Sequence, residues 1–436
     1  MPDINDMNKF DAIIVGAGPA GTSCAHIVAK AGLKVALVDR GTFPGAKNVM
    51  GGVLYRHAVE NAIPDFWKEA PLERHIIEQQ YWLLSDDSNI SIGHRSEKFA
   101  QEPYNRFTVL RAKFDSWFAG QADSAGAYII SKTVVDDVIT EKGRVVGIKT
   151  DRPDGNLYAN VIVLCDGVNS LLAQKLGMRG EFDNRHLALA VKEIISMPRE
   201  KIEDRFNLDG DEGATIDIYG EVAQGMEGTG FIYTNKDSLS VGIGVILADL
   251  VKTRVRPYDL LEQMKNHPVI KRMISGGEPR EYMAHMIPEG GYKAMPKIYG
   301  DGVLVAGDAA MMVNGFHREG SNLAMTSGRL AGKTIIEATE KGDYSKNALS
   351  RYKDLLEDSF VLKDLKKYKN LPAHISNYSE FFSTYPEILN KAADEFLTID
   401  GVSKKEKQRK IRKILTEKKS LWNIIKDVYK SWRAFG

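Results

Sequence analysis

Cysteine is scarce: Cys24 and Cys165, 141 residues apart, are the only two in 436 residues. Two such thiols supply neither a CxxC metal pair nor the four thiolates of an ordinary iron–sulfur cluster. They build no disulfide framework either, which points to a reducing compartment. A charge excess of one sign is also missing. There are 59 Lys and Arg against 58 Asp and Glu, a net charge of +1. Binding duplex nucleic acid needs a clear cationic excess, so no nucleic-acid partner is expected. Long apolar runs are absent too. The longest, residues 241–248, falls far short of the roughly 18 residues of a spanning segment. The first ten residues carry acids and no apolar core, unlike a secretory signal. The chain is expected to be soluble or to rest on a membrane surface without crossing it.

Length alone suggests about three domains, or two with an insertion. Residues 11–15 (DAIIV) form a short apolar run that meets glycine at once. A helix-length stretch follows at 20–31, then a second buried-type run at 34–38 (KVALV). Strand, helix and strand within about 30 residues make the βαβ unit of a parallel sheet. Residues 128–130, 133–139, 145–149 and 161–164 read as strands, separated by turns at 141–143 and 153–155. From 181 to 290 short strands such as 213–219, 229–233 and 238–245 alternate with turns, as in an inserted sheet-bearing domain. Residues 302–306 (GVLVA) are another strand ending in glycine, and 321–341 read as a helix. Beyond 345 the pattern is helical and charged. Residues 404–419 hold nine Lys/Arg and two Glu, and Ile411, Ile414, Leu415, Trp422, Ile425, Tyr429 and Trp432 recur at spacings of 3, 4 and 7.

The first glycine cluster, Gly16-Ala17-Gly18-Pro19-Ala20-Gly21, matches GxGxxG between a strand and a helix, and Asp39 ends the second strand 18 residues later. Gly16 permits the tight turn, Gly18 lets the backbone approach a pyrophosphate, and Gly21 allows close helix–strand packing. The helix N-terminus favours negative charge, with Pro19 and Ala20 opening it. Asp39 accepts hydrogen bonds from a ribose, with Arg40 beside it. A glycine turn without a ligand is the alternative, and the surrounding strand–helix–strand context argues against it. The motif alone does not choose between NAD and FAD.

Two further turns follow strands: Cys165-Asp166-Gly167 and Gly307-Asp308-Ala309-Ala310. Together with the first they resemble the glutathione-reductase-like FAD superfamily, in the branch of para-hydroxybenzoate hydroxylase and geranylgeranyl reductases. The resemblance implies that Asp308 holds the ribityl chain of FAD. It also implies that Gly320-Ser321-Asn322 present backbone N–H groups to the pyrimidine edge, where a helix N-terminus stabilises negative charge on the reduced flavin. Asp166 and Gly167 are carried over as cofactor contacts. The segments 47–55 (KNVMGGVLY), 109–115 (VLRAKFD), 228–235 (GTGFIYTN), 307–314 (GDAAMMVN), 318–328 (REGSNLAMTSG) and 351–368 narrow the likeness. They resemble the FixC family, flavoproteins similar to electron-transfer-flavoprotein:quinone oxidoreductases, over nearly the whole chain. By that resemblance Arg111 contacts the FAD diphosphate or ribose. Gly51 and Gly52, with Asn48 next to them, let the backbone pass close to the isoalloxazine, and Val135 reaches the adenine through its backbone.

The fold so implied is α/β (α+β overall). A Rossmann-like FAD-binding domain (1–180, returning at 291–345) is interrupted by a mixed-sheet domain on the substrate or quinone side (181–290). A helical region (346–436) follows for partner or membrane-surface contact. Single-chain mitochondrial relatives carry a four-cysteine iron–sulfur domain at the C-terminus. No cysteine follows Cys165 here, so no cluster is expected in this chain, and a separate ferredoxin-like subunit (FixX) is expected to supply it. The remaining implied partners are the electron-transfer-flavoprotein α and β subunits (FixB and FixA) and a membrane quinone, menaquinone or ubiquinone. The family's complex oxidises NADH and splits electrons between quinone and a low-potential carrier, this subunit lying on the quinone branch. Its place is the inner face of the cytoplasmic membrane. His317, in the loop expected to approach the flavin, is either a proton donor or an ordinary packed loop histidine; no other catalytic side chain is assigned. The basic C-terminal stretch is either a solvated face or a contact for anionic lipid or protein, and residues 381–385 (FFSTY) are a further candidate contact. Two other functions compete. One is a geranylgeranyl-reductase-like enzyme, although 230–236 lacks the Trp and Pro of its usual motif; the other is a non-catalytic FAD-bearing scaffold.

Overall fold

The structure, a computed structural model, describes residues 9–47 and 51–434. Its contacts divide into two compact units, each assembled from three separate segments. The first comprises Met1–Glu73, Asn105–His186 and Ile287–Lys369; the second comprises Arg74–Tyr104, Leu187–Met286 and Asn370–Gly436.

The first unit is built on a sheet with strand order Tyr299–Gly300, Val303–Val305, Leu157–Leu164, Lys9–Val15, Val35–Val38, Tyr128–Ile130. All neighbours are parallel except the first pair. The register sets Ile14 between Val163 and Leu37. Ile13, Ile14, Leu37, Ile162, Val163 and Leu304 are fully buried, as expected where helices cover both faces of a parallel sheet and strands become continuous apolar runs. An antiparallel hairpin, Val135–Glu141 with Arg144–Thr150, joins the start of Leu157–Leu164.

Two helices of this unit frame its glycine loops. Pro19–Lys30 starts on the proline whose fixed φ suits a first helical position, and Ser321–Lys341 occupies the stretch its periodicity predicts. They pack closely. A Cβ on Gly328 would lie 1.9 Å from the carbonyl oxygen of Ala20, and one on Gly332 would lie 3.1 Å from that of Cys24. At Gly328 only glycine admits such an approach of one helix backbone to another, while at Gly332 a side chain would be merely tight.

The second unit carries a sheet ordered Glu278–Pro288, Leu187–Ser196, Ser238–Ile246, Gly228–Thr234, Glu212–Gly220, Leu72–Leu84, with Asn89–Arg95 off the last. Glu212–Gly220 runs parallel to Leu72–Leu84, and the hairpins are antiparallel. Its core includes Ile216, Ile218, Ile232, Val241, Leu260 and Ile270. Leu72–Leu84 is a strand that its charges conceal. Arg74 is wholly buried, donating to the carbonyls of Asn235 (2.8 Å), Gly210 (2.7 Å) and Glu212 (2.9 Å) and pairing with Glu203 at 3.3 Å. The helices Thr384–Leu397, Lys404–Glu417 and Leu421–Ala434 close the chain in this unit. Among the described residues no helix is long and apolar enough to cross a membrane.

Candidate cofactor site

Four parallel strands of the first unit end at Val15, Val38, Leu164 and Val305, and each hands over directly to a loop bearing glycine or aspartate. Ligands in open α/β sheets bind outside these carboxyl ends. Gly16 takes φ +101° and donates its N–H to Val38 O at 2.8 Å; a Cβ there would sit 2.2 Å from Cys165 O. The first and third loops therefore touch through a backbone that tolerates glycine alone. Gly18, where the helix begins, faces open space within 4 Å of its absent Cβ. Gly21 does the opposite, since its Cβ would fall 1.9 Å from Gly16 O. The three positions thus differ: Gly16 takes a left-handed turn, Gly18 is open and Gly21 is packed against backbone.

Asp39 is half-buried and braces the first loop. Its two carboxylate oxygens accept the N–H groups of Ala17 (2.8 Å) and Gly41 (2.6 Å). A carboxylate has about four lone-pair positions, so acceptor capacity remains for hydroxyls. Arg40 is exposed beside it. The Asp39 carbonyl receives the Thr133 N–H at 3.0 Å, which brings the start of the strand Val135–Glu141 to the same corner. Asn48 lies outside the described residues. Gly51 and Gly52 open the strand Gly51–Tyr55, antiparallel to Arg106–Leu110, with Gly51 opposite Leu110 and open space at Gly52.

Arg111 follows that partner strand directly and opens the helix Arg111–Ser124. Its guanidinium binds Asp115 in bidentate fashion, at 2.8 and 2.9 Å. Burial pulls the pKa of Arg111 down, but Asp115 and, behind it, Asp308 outweigh that and hold it above the usual value. Asp308 sits in a single turn of 3₁₀ helix, Gly307–Ala310. Desolvation pushes its carboxyl up to about 6, against the pull of Arg111. Asp166 behaves alike: burial raises it to about 6. Its Oδ2 accepts the Leu172 N–H at 3.4 Å, while Oδ1 has no hydrogen-bond partner. Gly167 takes φ +77°. Gly307, at φ +66°, would place a Cβ 2.8 Å from the Ala20 side chain, so the fourth loop also meets the first helix.

The chain then doubles back. Asn314 and Glu319 exchange backbone hydrogen bonds of 2.8 and 3.1 Å, delivering Gly320 to the N-terminus of Ser321–Lys341. Ser321 Oγ donates to Val53 O at 3.5 Å, tying this terminus to the strand that bears Gly51 and Gly52. Asn322 is buried and hydrogen-bonded to Glu319, and its Oδ1 has no partner. His317 is engaged rather than loose. One ring nitrogen lies 2.9 Å from the hydroxyl of Tyr368, and both rings contact Phe316. Tyr368, the packing glycines Gly328 and Gly332, and Glu289, whose carboxylate lies against Gly315, escape sequence reasoning. The GxxxG spacing of the two glycines was the available signal.

These residues fit an adenine dinucleotide carrying a flavin. Orphaned buried oxygens on Asp166 and Asn322 await hydrogen-bond donors, an uncompensated cost in the absence of a ligand. Gly18 and Gly52 leave backbone accessible, and two helix N-termini present N–H groups to negative charge. Comparison with known proteins agrees. A model described as FAD dependent oxidoreductase matches residues 11–174, and one described as the ETF-QO/FixC family C-terminal domain matches 371–436. Protein FixC of Azorhizobium caulinodans is 48% identical, the alignment covering 98% of this chain and 99% of that one. A probable electron transfer flavoprotein-quinone oxidoreductase of Escherichia coli is 40% identical with the same coverage. Among solved structures, a geranylgeranyl bacteriochlorophyll reductase-like protein of Thermoplasma acidophilum superimposes with TM-score 0.72 at 21% identity, covering 94% of this chain and 98% of that one; at that identity the likeness concerns the fold. Matched end to end at this level, and with an FAD-dependent oxidoreductase fold behind its glycine loops, the chain belongs to the FixC family of flavoproteins resembling electron-transfer-flavoprotein:quinone oxidoreductases.

Proposed function

We propose that this chain is the FAD-bearing subunit of a FixABCX-like complex, taking electrons from an electron-transfer-flavoprotein pair and passing them toward a membrane quinone such as menaquinone or ubiquinone. FAD, when bound, supplies the redox centre; the side chains hold it and set the charge around it. In this reading Gly16, Gly18 and the N-terminus of Pro19–Lys30, with Ala20 and Gly21 packed behind, receive the diphosphate. Asp39, with Arg40 and Val135 nearby, receives the adenosine half. Asp308 binds the ribityl hydroxyls, assisted by Asp166, Gly167 and Gly307. Arg111 adds positive charge near the diphosphate. Gly51 and Gly52 flank the ring system, and Gly320, Ser321 and Asn322 direct N–H groups to its pyrimidine edge, favouring the electron-rich state. The domain partition proposed above belongs to the same reading, with residues 1–180 and 291–345 jointly forming the FAD domain. So do the cytoplasmic face of the membrane and a cluster carried by a separate ferredoxin-like subunit, since no cysteine follows Cys165.

The observation that carries this is the meeting of four loops, drawn from strands up to about 290 residues apart in sequence, around two elevated carboxyls and two helix N-termini. The likeness to the probable electron transfer flavoprotein-quinone oxidoreductase of Escherichia coli supports quinone as acceptor. Prenyl double-bond reduction has only the shared fold behind it. The test is anaerobic: the FAD-loaded chain is mixed with its reduced electron-transfer flavoprotein, then with a menaquinone analogue. Bleaching of the flavin absorbance followed by its return is expected. A flavin that stays oxidised with the electron-transfer flavoprotein, or is reoxidised only by a polyprenyl substrate, overturns the reading.

A further inference from the structure

The last helix, Leu421–Ala434, is folded inside out. An amphipathic helix on a globular body turns its apolar stripe inward. Here the buried positions are Asp427 and Ser431. Asp427 accepts the hydroxyl of Tyr385 at 2.7 Å and pairs with Lys419, and Ser431 meets a ring nitrogen of His374 at 3.1 Å. Lys430 adds a bond of 2.7 Å to the Tyr378 hydroxyl. Polar contacts therefore fasten the helix, and they fix which face is outward. On that face stand Trp422, Ile425, Val428, Tyr429 and Trp432, exposed by 73, 58, 65, 61 and 77%. At about 100° per residue they fill one arc of roughly 120°, some 15 Å long. Single exposed hydrophobes need no explanation, but five in one stripe do.

Charges on this helix and on the one before it argue for what covers the stripe. Lys426 and Arg433 border it on one side, both exposed. The preceding helix, Lys404–Glu417, adds exposed Lys404, Lys405, Arg409, Arg412 and Lys413. Among the described residues none of these seven cations forms an ion pair, whereas Lys407, Lys410, Lys418 and Lys419 are all matched to acids within the fold. A Trp-bearing apolar stripe bordered by unmatched Lys and Arg is the chemistry of a helix lying in the headgroup region of an anionic bilayer.

We propose that Leu421–Ala434 is a monotopic anchor. Its Trp422–Trp432 stripe enters the acyl boundary of an anionic leaflet, while Lys426, Arg433 and the preceding basic helix hold the headgroups. This deepens the reading above, since a chain that reduces a bilayer quinone must reach it, but the test uses vesicles without quinone and so judges the anchor alone.

The full-length FAD-loaded protein is sedimented with vesicles of phosphatidylcholine alone or with added phosphatidylglycerol. Binding to the anionic vesicles, weakening with salt, is expected. Trp422→Ser with Trp432→Ser should reduce binding at least tenfold. Lys426→Gln with Arg433→Gln should reduce it roughly 30-fold, at about 1 kcal/mol for each cation near the surface. FAD content should be unchanged in every variant, because all four positions are exposed. Bromine-labelled acyl chains should quench emission of the wild type and not of the double Trp variant. Vesicle binding equal in wild type and variants overturns the proposal, as does no binding by the wild type. So does a stripe whose substitution changes only the oligomeric mass, which would make it a contact between protein copies.

Discussion

Asp166 and Asp308 are acids placed where charge is costly, and that has a measurable consequence before any ligand binds. An acid whose folded pKa is raised favours the folded state while protonated. That contribution is complete below the unfolded value near 4 and is lost as pH climbs through about 6. Asp166→Asn removes the titration. The apoprotein variant should therefore match the wild type at pH 4 and exceed its stability by about 2–3 kcal/mol at pH 8, as read by urea unfolding at the two pH values. Asp308→Ala tests the other half of the argument. It should fold and lose FAD on gel filtration; a preparation retaining full yellow occupancy would remove Asp308 from the ribityl role. These residues were legible in the sequence because each follows an apolar strand and adjoins glycine. His317 was legible only as a position. Its partner Tyr368 stands 51 residues away, and no local pattern announces that pairing.

The contact between Pro19–Lys30 and Ser321–Lys341 is the element on which the site's geometry depends, since it fixes two helix N-termini relative to each other. Gly328→Ala should cost about 2–4 kcal/mol, because its Cβ would collide with backbone rather than with a movable side chain. Gly332→Ala meets an oxygen at 3.1 Å, and a small clash there is partly offset by the gain of about 1 kcal/mol in helix propensity. Gly120→Ala, in the open on Arg111–Ser124, should stabilise by roughly 0.5–1 kcal/mol. Chemical denaturation of the three variants side by side gives the order directly. The helices themselves were readable from their periodicity, and the buried strands from their β-branched runs. Leu72–Leu84 was not, since Arg74 makes sense within a strand only once three carbonyls from other segments surround it. Leu421–Ala434 was readable as a helix but not in orientation, which rests on Tyr385, Lys419 and His374.

On the scale of the whole molecule, each compact unit is stitched from three separate segments, so neither can be excised by one cut. A fragment of residues 1–186 retains GxGxxG yet lacks Val303–Val305 and Ser321–Lys341, which complete the sheet and the helix pair. It should show no cooperative unfolding transition and bind no FAD, whereas the intact chain should unfold cooperatively and retain FAD. The intact chain should also co-purify under gentle conditions with a small ferredoxin-like protein. Isolation of a fully active quinone reductase without one would contradict the separate-subunit assignment.

The same stitching bears on how the protein is born. Gly16 leaves the ribosome about 290 residues ahead of Gly307, a delay of roughly 15–60 s at ordinary elongation rates. Until then Ile14 and, once made, Val163 lack the strand and helix that later complete their surroundings. The nascent polypeptide should thus depend on chaperones until Gly307 and the helix Ser321–Lys341 have emerged, and a shortage of riboflavin should be felt only after that point.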